Sequence, residues 1–166
     1  MKLIKKLPTS YYVIYSAIIA IGILLDQLTK WLAVVFLMPV DTVPILKGAL
    51  HLTYVENRGA AFGMLADHRW VFMVVSTVTI VAIAIALFTG HIEGLRYGVC
   101  LAAIISGGIG NMIDRVALGY VIDFIDFRLI NFAVFNGADS FVCVGAGFMI
   151  LFLVLDIVKE AKENKK

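Results

Sequence analysis

Two aspartates stand in strongly apolar surroundings in this sequence, and they are the residues best suited to chemistry. Asp123 lies in the stretch Tyr-Val-Ile-Asp-Phe-Ile-Asp, and Asp139 follows Phe-Asn-Gly-Ala. Two carboxylates that share a site of low dielectric constant cannot both ionise easily, so one of them keeps a proton. The protonated carboxyl and the ionised one then supply a general acid and a general base. Such a pair can activate water against a peptide carbonyl.

Both positions also have alternatives that the sequence leaves open. An acid in the first turn of a helix satisfies free N–H groups and the helix dipole, so Asp139 could be a capping residue, although Asn136 already suits that position. Asp126 competes with Asp123, because in an extended chain their side chains point to opposite faces. Only one of the two can then face a helix bundle, and the sequence does not say which.

Further polar residues occur at helical spacing in apolar segments. Asp26 and Lys30 are four residues apart, as are Asn111 and Arg115, so each pair shares a helix face. Charge is costly inside an apolar helix that crosses a membrane. Asp26 and Lys30 could therefore mark a functional site, or they could form an ion pair that only anchors their helix. Asn111 and Arg115 are expected to shape a polar site, or else to join helices. Asp114 is expected to belong to a surface charge pair.

Other catalytic motifs find little support in the sequence, which contains neither H-E-x-x-H nor G-x-S-x-G. Ser106 stands in Ser-Gly-Gly without a histidine partner, so close helix packing is the expected role. Cys100 and Cys143 lie in apolar runs and are expected to be small buried hydrophobic residues, not a disulfide. Three isolated histidines are expected to be interfacial or solvated, not metal ligands: His51, His68 and His91. We therefore expect neither a metal nor a cofactor.

The elements that must position these residues are long apolar segments. Hydrophobic residues make up 61% of the 166 residues and charged residues 16%, against about 45–50% and about 25% in soluble domains. A net charge of +2 gives no basis for a nucleic-acid partner. Four segments are long enough to cross a bilayer as helices: 11–37, 70–88, 97–113 and 135–155. The sequence predicts an all-α membrane protein with one domain over residues 1–166.

The distribution of lysine and arginine predicts that both termini are cytoplasmic. Eight of the 14 lie on the side of the termini and five on the other. The N-terminal span lacks an A-x-A cleavage pattern and is expected to be retained. Two outer segments remain, 38–69 and 114–134. Alternation over 49–55 and β-rich composition over 119–127 predict a small extracytoplasmic β element above the helices. The polar residues then all fall near the outer membrane face.

Five short motifs together resemble a known family. They are Asp26-x-x-x-Lys30, Glu56-Asn57-Arg58-Gly59-Ala60-Ala61-Phe62-Gly63, Gly110-Asn111-Met112-Ile113-Asp114-Arg115, Val121-Ile122-Asp123-Phe124 and Phe135-Asn136-x-Ala138-Asp139. Their order on a chain with four spans is similar to that of lipoprotein signal peptidase, the bacterial signal peptidase II. The resemblance implies an intramembrane aspartic protease of the bacterial cytoplasmic membrane. It would cut prolipoproteins just before the diacylglyceryl-modified cysteine, in contact with membrane lipid, and would be a target of globomycin.

The resemblance also implies a role for each matched residue. Asp123 and Asp139 would be the catalytic pair. Five residues would line or brace the site: Asn57, Gly59, Asn111, Arg115 and Asn136. Asp26 and Lys30 would belong to the same polar network.

Two functions of other classes compete with this expectation. A proton-coupled carrier could use Asp26, Lys30 and Asp139 as relay groups, although carrier sites usually lie near the membrane midplane. An assembly protein could use its polar residues only to hold helices together. That protein would lose stability rather than activity on Asp123→Asn or Asp139→Asn.

Overall fold

The computed structural model describes residues 7–59 and 69–164, and four long helices account for most of them. In chain order the elements are α1 Thr9–Phe36, β1 Thr42–Leu46, β2 Leu50–Asn57, α2 Arg69–Phe88, α3 Leu95–Ala117, β3 Val121–Phe127 and α4 Gly137–Glu163. Each helix is long and apolar enough to cross a membrane. The predicted helical membrane fold with a small β element is confirmed. Motif residues 60–63 and His68 lie outside the described residues.

The observed helices differ from the predicted spans mainly at their C-terminal ends. The third span was expected to end near Ile113, but α3 continues for four more residues, so that Asp114 and Arg115 are helical. The fourth helix begins only after its N-cap, Asn136, and it continues eight residues beyond Leu155. The added part of α4 is rich in charge, which suits a helix end that projects from the hydrocarbon into water.

The β element is a three-stranded antiparallel sheet in the order β1-β2-β3. β2 and β3 correspond to the two predicted stretches, and their register pairs Leu50 with Phe127 and Asn57 with Val121. β1 was not predicted. Its central residue is Pro44, which lacks an N–H group and is tolerated only where a strand lies at a sheet edge.

The sheet is attached to the bundle at the C-terminal end of α1. Ala33 and Leu37 at that end form a buried apolar cluster with Ile122 and Phe124 of β3. This contact holds one side of β3 against α1. The strand therefore lies directly above the ends of the helices, where the polar residues of the sequence were expected to gather.

Small residues allow α3 to approach its neighbours at the centre of the bundle. A Cβ atom on Gly107 would lie 2.2 Å from the carbonyl oxygen of Ala138 in α4, which no real side chain could tolerate. Ser106 packs against Gly22 of α1, and within the described residues its hydroxyl has no hydrogen-bond partner. The expected packing role of Ser106 agrees with this arrangement.

The outer surface of the bundle is apolar over most of its length. Many aliphatic side chains of α1, α2 and α4 are half or more exposed, among them Leu24, Val74, Val78 and Ile150. A water-soluble protein would bury such faces, whereas the hydrocarbon of a bilayer accepts them. Together with the lengths of the four helices, this surface defines an integral membrane protein.

Candidate active site

Asp123 is carried by β3 and is almost completely buried, with 1% of its surface exposed. Both of its carboxylate oxygens accept hydrogen bonds from amides: Asn57 Nδ2 lies 2.8 Å from Oδ2, and Asn136 Nδ2 lies 2.6 Å from Oδ1. Burial raises the pKa of Asp123 to about 6, and the nearby charge of Asp139 acts in the same direction. The two amide hydrogen bonds oppose this shift but do not cancel it.

Asp139 occupies the first turn of α4 and has two roles in the structure. It completes a capping box, because its backbone N–H donates to Asn136 Oδ1 at 3.0 Å and its Oδ2 accepts the N–H of Asn136. Its other oxygen, Oδ1, accepts a hydrogen bond from Asn111 Nδ2 at 2.7 Å. The capping interpretation is thus correct, yet it leaves this second oxygen directed at a neighbouring helix.

Asn136 connects the two aspartates. It is fully buried, donates from Nδ2 to Asp123, and forms the reciprocal cap with Asp139. Its Nδ2 also lies 3.0 Å from Asn111 Oδ1. A buried amide with this many partners has a single orientation, since any rotation would leave polar groups unsatisfied. Asp123 and Asp139, sixteen positions apart in sequence, are therefore held against the same rigid group.

Both aspartates line a cavity of about 580 Å³ at this end of the bundle. Polar groups of Asn57, Gly59, Asn111 and Arg115 contribute to its walls. The remaining lining is largely apolar: Val121, Phe127, Ile130, Phe132, Ala133, Val134, Phe135 and Cys143. The site thus combines a small set of polar groups with a wall that would accept hydrocarbon.

The cysteines are both free, as expected, but they differ in burial. Cys100 is buried in α3, as predicted. Cys143 is exposed, which contradicts the prediction, because it lies one helical turn after Asp139 and faces the cavity instead of a neighbouring helix.

Asn57, Gly59 and Arg115 all reach this cavity. The N–H of Gly59 donates to Asn57 Oδ1 at 3.0 Å, which orients the Asn57 amide so that its Nδ2 can donate to Asp123. Arg115 donates to the carbonyl oxygen of Asn111 and lies over the ring of Phe72 in α2, 5.7 Å from its centre. Arg115 therefore places a positive charge at the cavity wall.

Lys30 lies at the centre of a buried charge network. Its Nζ lies 2.9 Å from Asp26 Oδ2, 2.9 Å from Asp114 Oδ2 and 2.9 Å from Asn111 Oδ1. These three acceptors match the three N–H donors of an ammonium group. The expectation of a surface charge pair at Asp114 is wrong, because only 3% of this residue is exposed. Asp114 lies inside the bundle because α3 continues past it.

Gln27 is a member of this network that the sequence analysis did not identify. Its amide donates to Asp114 Oδ1 at 3.0 Å and lies 3.2 Å from Asp26 Oδ2. A polar amide next to an aspartate within an apolar helix was the available signal. The network joins α1 to α3, and through the N–H of Ala138, which donates to Asp26 Oδ1 at 2.8 Å, it also joins α4.

Asp126 lies away from the cavity. Its Oδ2 accepts hydrogen bonds from Thr53 at 2.8 Å and from Arg128 at 2.7 Å. It stands opposite His51 in the sheet register, and His51 is buried, which contradicts the prediction that it is interfacial or solvated. Of the two aspartates in this strand, Asp123 is the one directed at the helix bundle.

The arrangement suits hydrolysis by a pair of carboxyl groups. The two acids share one buried environment, each is held by amide donors, and an arginine lies at the same wall. No group of three residues able to hold a metal occurs among the residues that the structure describes. The fold and this site define a class of protein: an integral membrane protein with paired acids in an apolar-walled cavity.

Comparison with known proteins identifies the family. A family model for signal peptidase (SPase) II matches residues 18–155. The lipoprotein signal peptidase of Caldanaerobacter subterraneus subsp. tengcongensis is 50% identical over 138 residues, which is 81% of this chain and 94% of that protein. That of Clostridioides difficile is 48% identical over 143 residues, or 85% and 95% of the two chains. The chain belongs to the signal peptidase II family and is a peptidase by that membership.

A solved structure of a membrane enzyme has a similar fold. A bacterial membrane enzyme superposes with a TM-score of 0.79 and 28% sequence identity, covering 92% of this chain and 91% of that one. The similarity therefore extends over the four helices and the sheet together.

Proposed function

We propose that this protein removes the signal peptide of prolipoproteins by cutting just before the diacylglyceryl-modified cysteine, with Asp123 and Asp139 as the catalytic pair. The observation that carries this proposal is the shared contact of both carboxylates with Asn136 at one cavity. The similarity to lipoprotein signal peptidases supports the choice of substrate. The apolar wall of the cavity suits a signal peptide, which is itself an apolar helix.

The proposed reaction uses one proton shared between the two acids. The ionised carboxylate takes a proton from water while the water oxygen bonds to the peptide carbonyl carbon. The protonated carboxyl gives its proton to the carbonyl oxygen, which forms a tetrahedral diol. As the carbon–nitrogen bond breaks, the diol returns one proton to the carboxylate that had protonated the carbonyl oxygen. The other carboxyl group gives the leaving amine the proton that it took from water, and the pair is restored.

The remaining residues support this pair in the proposal. Asn57 and Asn111 each donate to one carboxylate, and Gly59 orients Asn57. Arg115 brings positive charge to the cavity wall, where it stabilises whichever of the two carboxyl groups is ionised. Asp26 and Lys30 act indirectly. Lys30 donates to Asn111 Oδ1 and so selects the orientation of that amide in which Nδ2 faces Asp139.

We place the site near the outer face of the bacterial cytoplasmic membrane, with both chain ends in the cytoplasm. The excess of lysine and arginine at the ends of the chain supports this orientation. A site at that level can receive acyl chains from the outer leaflet while water reaches the scissile bond.

The proposal is tested by cleavage of a diacylglyceryl-modified prolipoprotein peptide by the detergent-purified protein. The parent should cleave it, and globomycin should block the reaction. Asp123→Asn and Asp139→Asn should each lose turnover while remaining folded. Asp126→Asn is the matched control, because it makes the same change in the same strand outside the cavity. Near-normal cleavage by either of the first two variants, or an inactive Asp126→Asn protein, would overturn the assignment of the pair.

A further inference from the structure

Asp114 has more structural partners than any role assigned to it so far explains. Its Oδ1 accepts from Gln27 at 3.0 Å, and its Oδ2 accepts from Lys30 at 2.9 Å and from the backbone N–H of Ile122 at 3.1 Å. A carboxylate has about four acceptor positions, and three of them are used here, two by donors of α1 and one by β3. Because the residue is buried, the N–H of Ile122 and one N–H of Lys30 would be left unsatisfied without it.

One of these contacts leads directly to Asp123. Ile122 precedes Asp123 in β3, so the bond from its N–H to Asp114 fixes the backbone next to the proposed catalytic residue. The turn before this strand depends on the same residue, because the backbone carbonyl of Asp114 accepts from Leu118 and from Gly119. Gly119 has a φ of +87°, which a glycine adopts readily, and there the chain turns from α3 into β3.

A second contact leads to Asp139. Lys30 divides its three donors between Asp26, Asp114 and Asn111. Asn111 then donates from its amide nitrogen to Asp139. Because Lys30 donates to the oxygen of Asn111, its amide nitrogen is turned toward Asp139. The negative charge of Asp114 helps to hold Lys30 in the position where it selects this orientation.

We infer that Asp114 is a positioning residue which sets the two proposed catalytic aspartates relative to each other. It acts on Asp123 through the backbone of β3 and on Asp139 through Lys30 and Asn111. It does not line the cavity and would not touch the substrate. This inference rests on the proposed function, because it takes Asp123 and Asp139 to be the reacting pair.

The test is the kinetics of Asp114→Asn on the diacylglyceryl-modified peptide. An asparagine has the same shape but only one acceptor oxygen, so it cannot serve donors on both sides. Small displacements of reacting groups cost rate rather than binding, so kcat should fall by on the order of 10- to 100-fold with KM within about twofold of the parent. Removing this negative charge should also shift the pH–rate profile to lower pH.

Asp156→Asn is the matched control. It removes a carboxylate from an ion pair with Arg96, which joins α4 to α3 at the opposite end of the bundle. This control should keep the parent kcat. Rates are expressed per folded molecule, with the folded fraction taken from size exclusion and thermal unfolding. Asp114→Glu is the second variant if Asp114→Asn does not fold, because it keeps the charge but displaces the oxygens by one methylene group.

The outcomes separate the two proposals. If the parent cleaves, Asp123→Asn does not, and Asp114→Asn or Asp114→Glu keeps the parent kcat per folded molecule, Asp114 is only structural and the inference falls alone. If the parent itself does not cleave the peptide, the proposed function is overturned, and the inference about Asp114 is overturned together with it. A lower kcat with unchanged KM and a shifted pH profile supports the positioning role.

Discussion

At the scale of single residues, asparagine amides define the site as much as the carboxylates do. Asn57, Asn111 and Asn136 each direct a donor at an aspartate within 2.8 Å. Amide donors stabilise a carboxylate without adding a charge, so a pair of acids can be kept close in a buried place without full neutralisation. In the proposed reaction, this leaves both acids able to exchange a proton.

The raised pKa of Asp123 has a consequence for stability. Its pKa of about 6 lies above the value of about 3.9 for an unfolded chain. Folding thus favours the protonated form, so the contribution of Asp123 is present in full below about pH 4 and is lost as the pH rises through 6. A difference of about two pH units corresponds to about 3 kcal/mol. Asp123→Asn cannot ionise, so it does not lose stability in this way. The thermal unfolding midpoint of the variant in detergent, minus that of the parent, should therefore increase as the pH is raised from 4.5 to 7.5.

Asp126→Asn provides the control for this measurement. Burial acts to raise the pKa of Asp126, but hydrogen bonds from Arg128 and Thr53 and the charge of Arg128 together lower it. Its stabilising effect is therefore present above about pH 4 and is lost only as the pH falls below that. The difference between this variant and the parent should stay constant from pH 5 to 7.5. A constant difference for Asp123→Asn as well would contradict the raised pKa.

At the scale of elements, α3 is the axis on which the other helices are arranged. It contacts α1, α2 and α4, and glycines on its surface allow the close contacts. Gly110 is the most consequential of these, because a Cβ atom there would lie 2.4 Å from Asp26 Oδ2. Close packing at this point brings the charge network of α1 up to the polar end of α3.

Gly110→Ala should therefore destabilise the protein and disturb the network around Lys30. Overpacking of a well-packed interior costs about 1–3 kcal/mol, so the thermal midpoint in detergent should fall and cleavage should weaken with it. Gly147→Ala on α4 is the control, since no atom of the residues that the structure describes lies within 4 Å of its Cβ position. That variant should be neutral or gain up to about 1 kcal/mol from helix propensity. Equal midpoints for the two variants would show that α3 can separate from α1 without cost.

Across the whole molecule, the buried charged groups of the described residues are segregated to one end of an apolar bundle. The sheet, the charge network and the cavity all lie where α1 and α3 end and where α4 begins. The opposite end carries an exposed ion pair between Arg96 and Asp156. The Arg96 guanidinium also lies over the rings of Tyr97 and Phe152. The two ends of the bundle are thus chemically distinct, so the two faces of the membrane are next to different parts of the protein.

The proposed orientation predicts which loops an impermeant reagent can reach. In a background with Cys100→Ala and Cys143→Ser, a cysteine replaces either Lys47 in the β1–β2 turn or Glu93 in the α2–α3 link. The cells are first stripped of any outer envelope, with the cytoplasmic membrane left intact. Lys47→Cys should then react with a membrane-impermeant maleimide. Glu93→Cys should react only after the membrane is opened. The reverse pattern would place the site on the cytoplasmic side.

The sequence alone predicts the four helices, two of the three strands and most of the polar residues that line the cavity. Hydrophobic length and strand alternation are local properties, so they can be recognised without knowledge of the neighbours. The family motifs added the pairing of Asp123 with Asp139.

Tertiary packing determines which carboxylate of β3 faces the bundle, and it also buries Asp114. Asp123 points to Asn57 and Asn136, whereas Asp126 points to Arg128. Both residues have similar neighbours in sequence, so the choice depends on the strand register and on α1. Asp114 became interior because α3 continues and meets Lys30, which is 84 positions earlier in the chain. The environment of a charged group is set by such distant partners, and no local pattern records them.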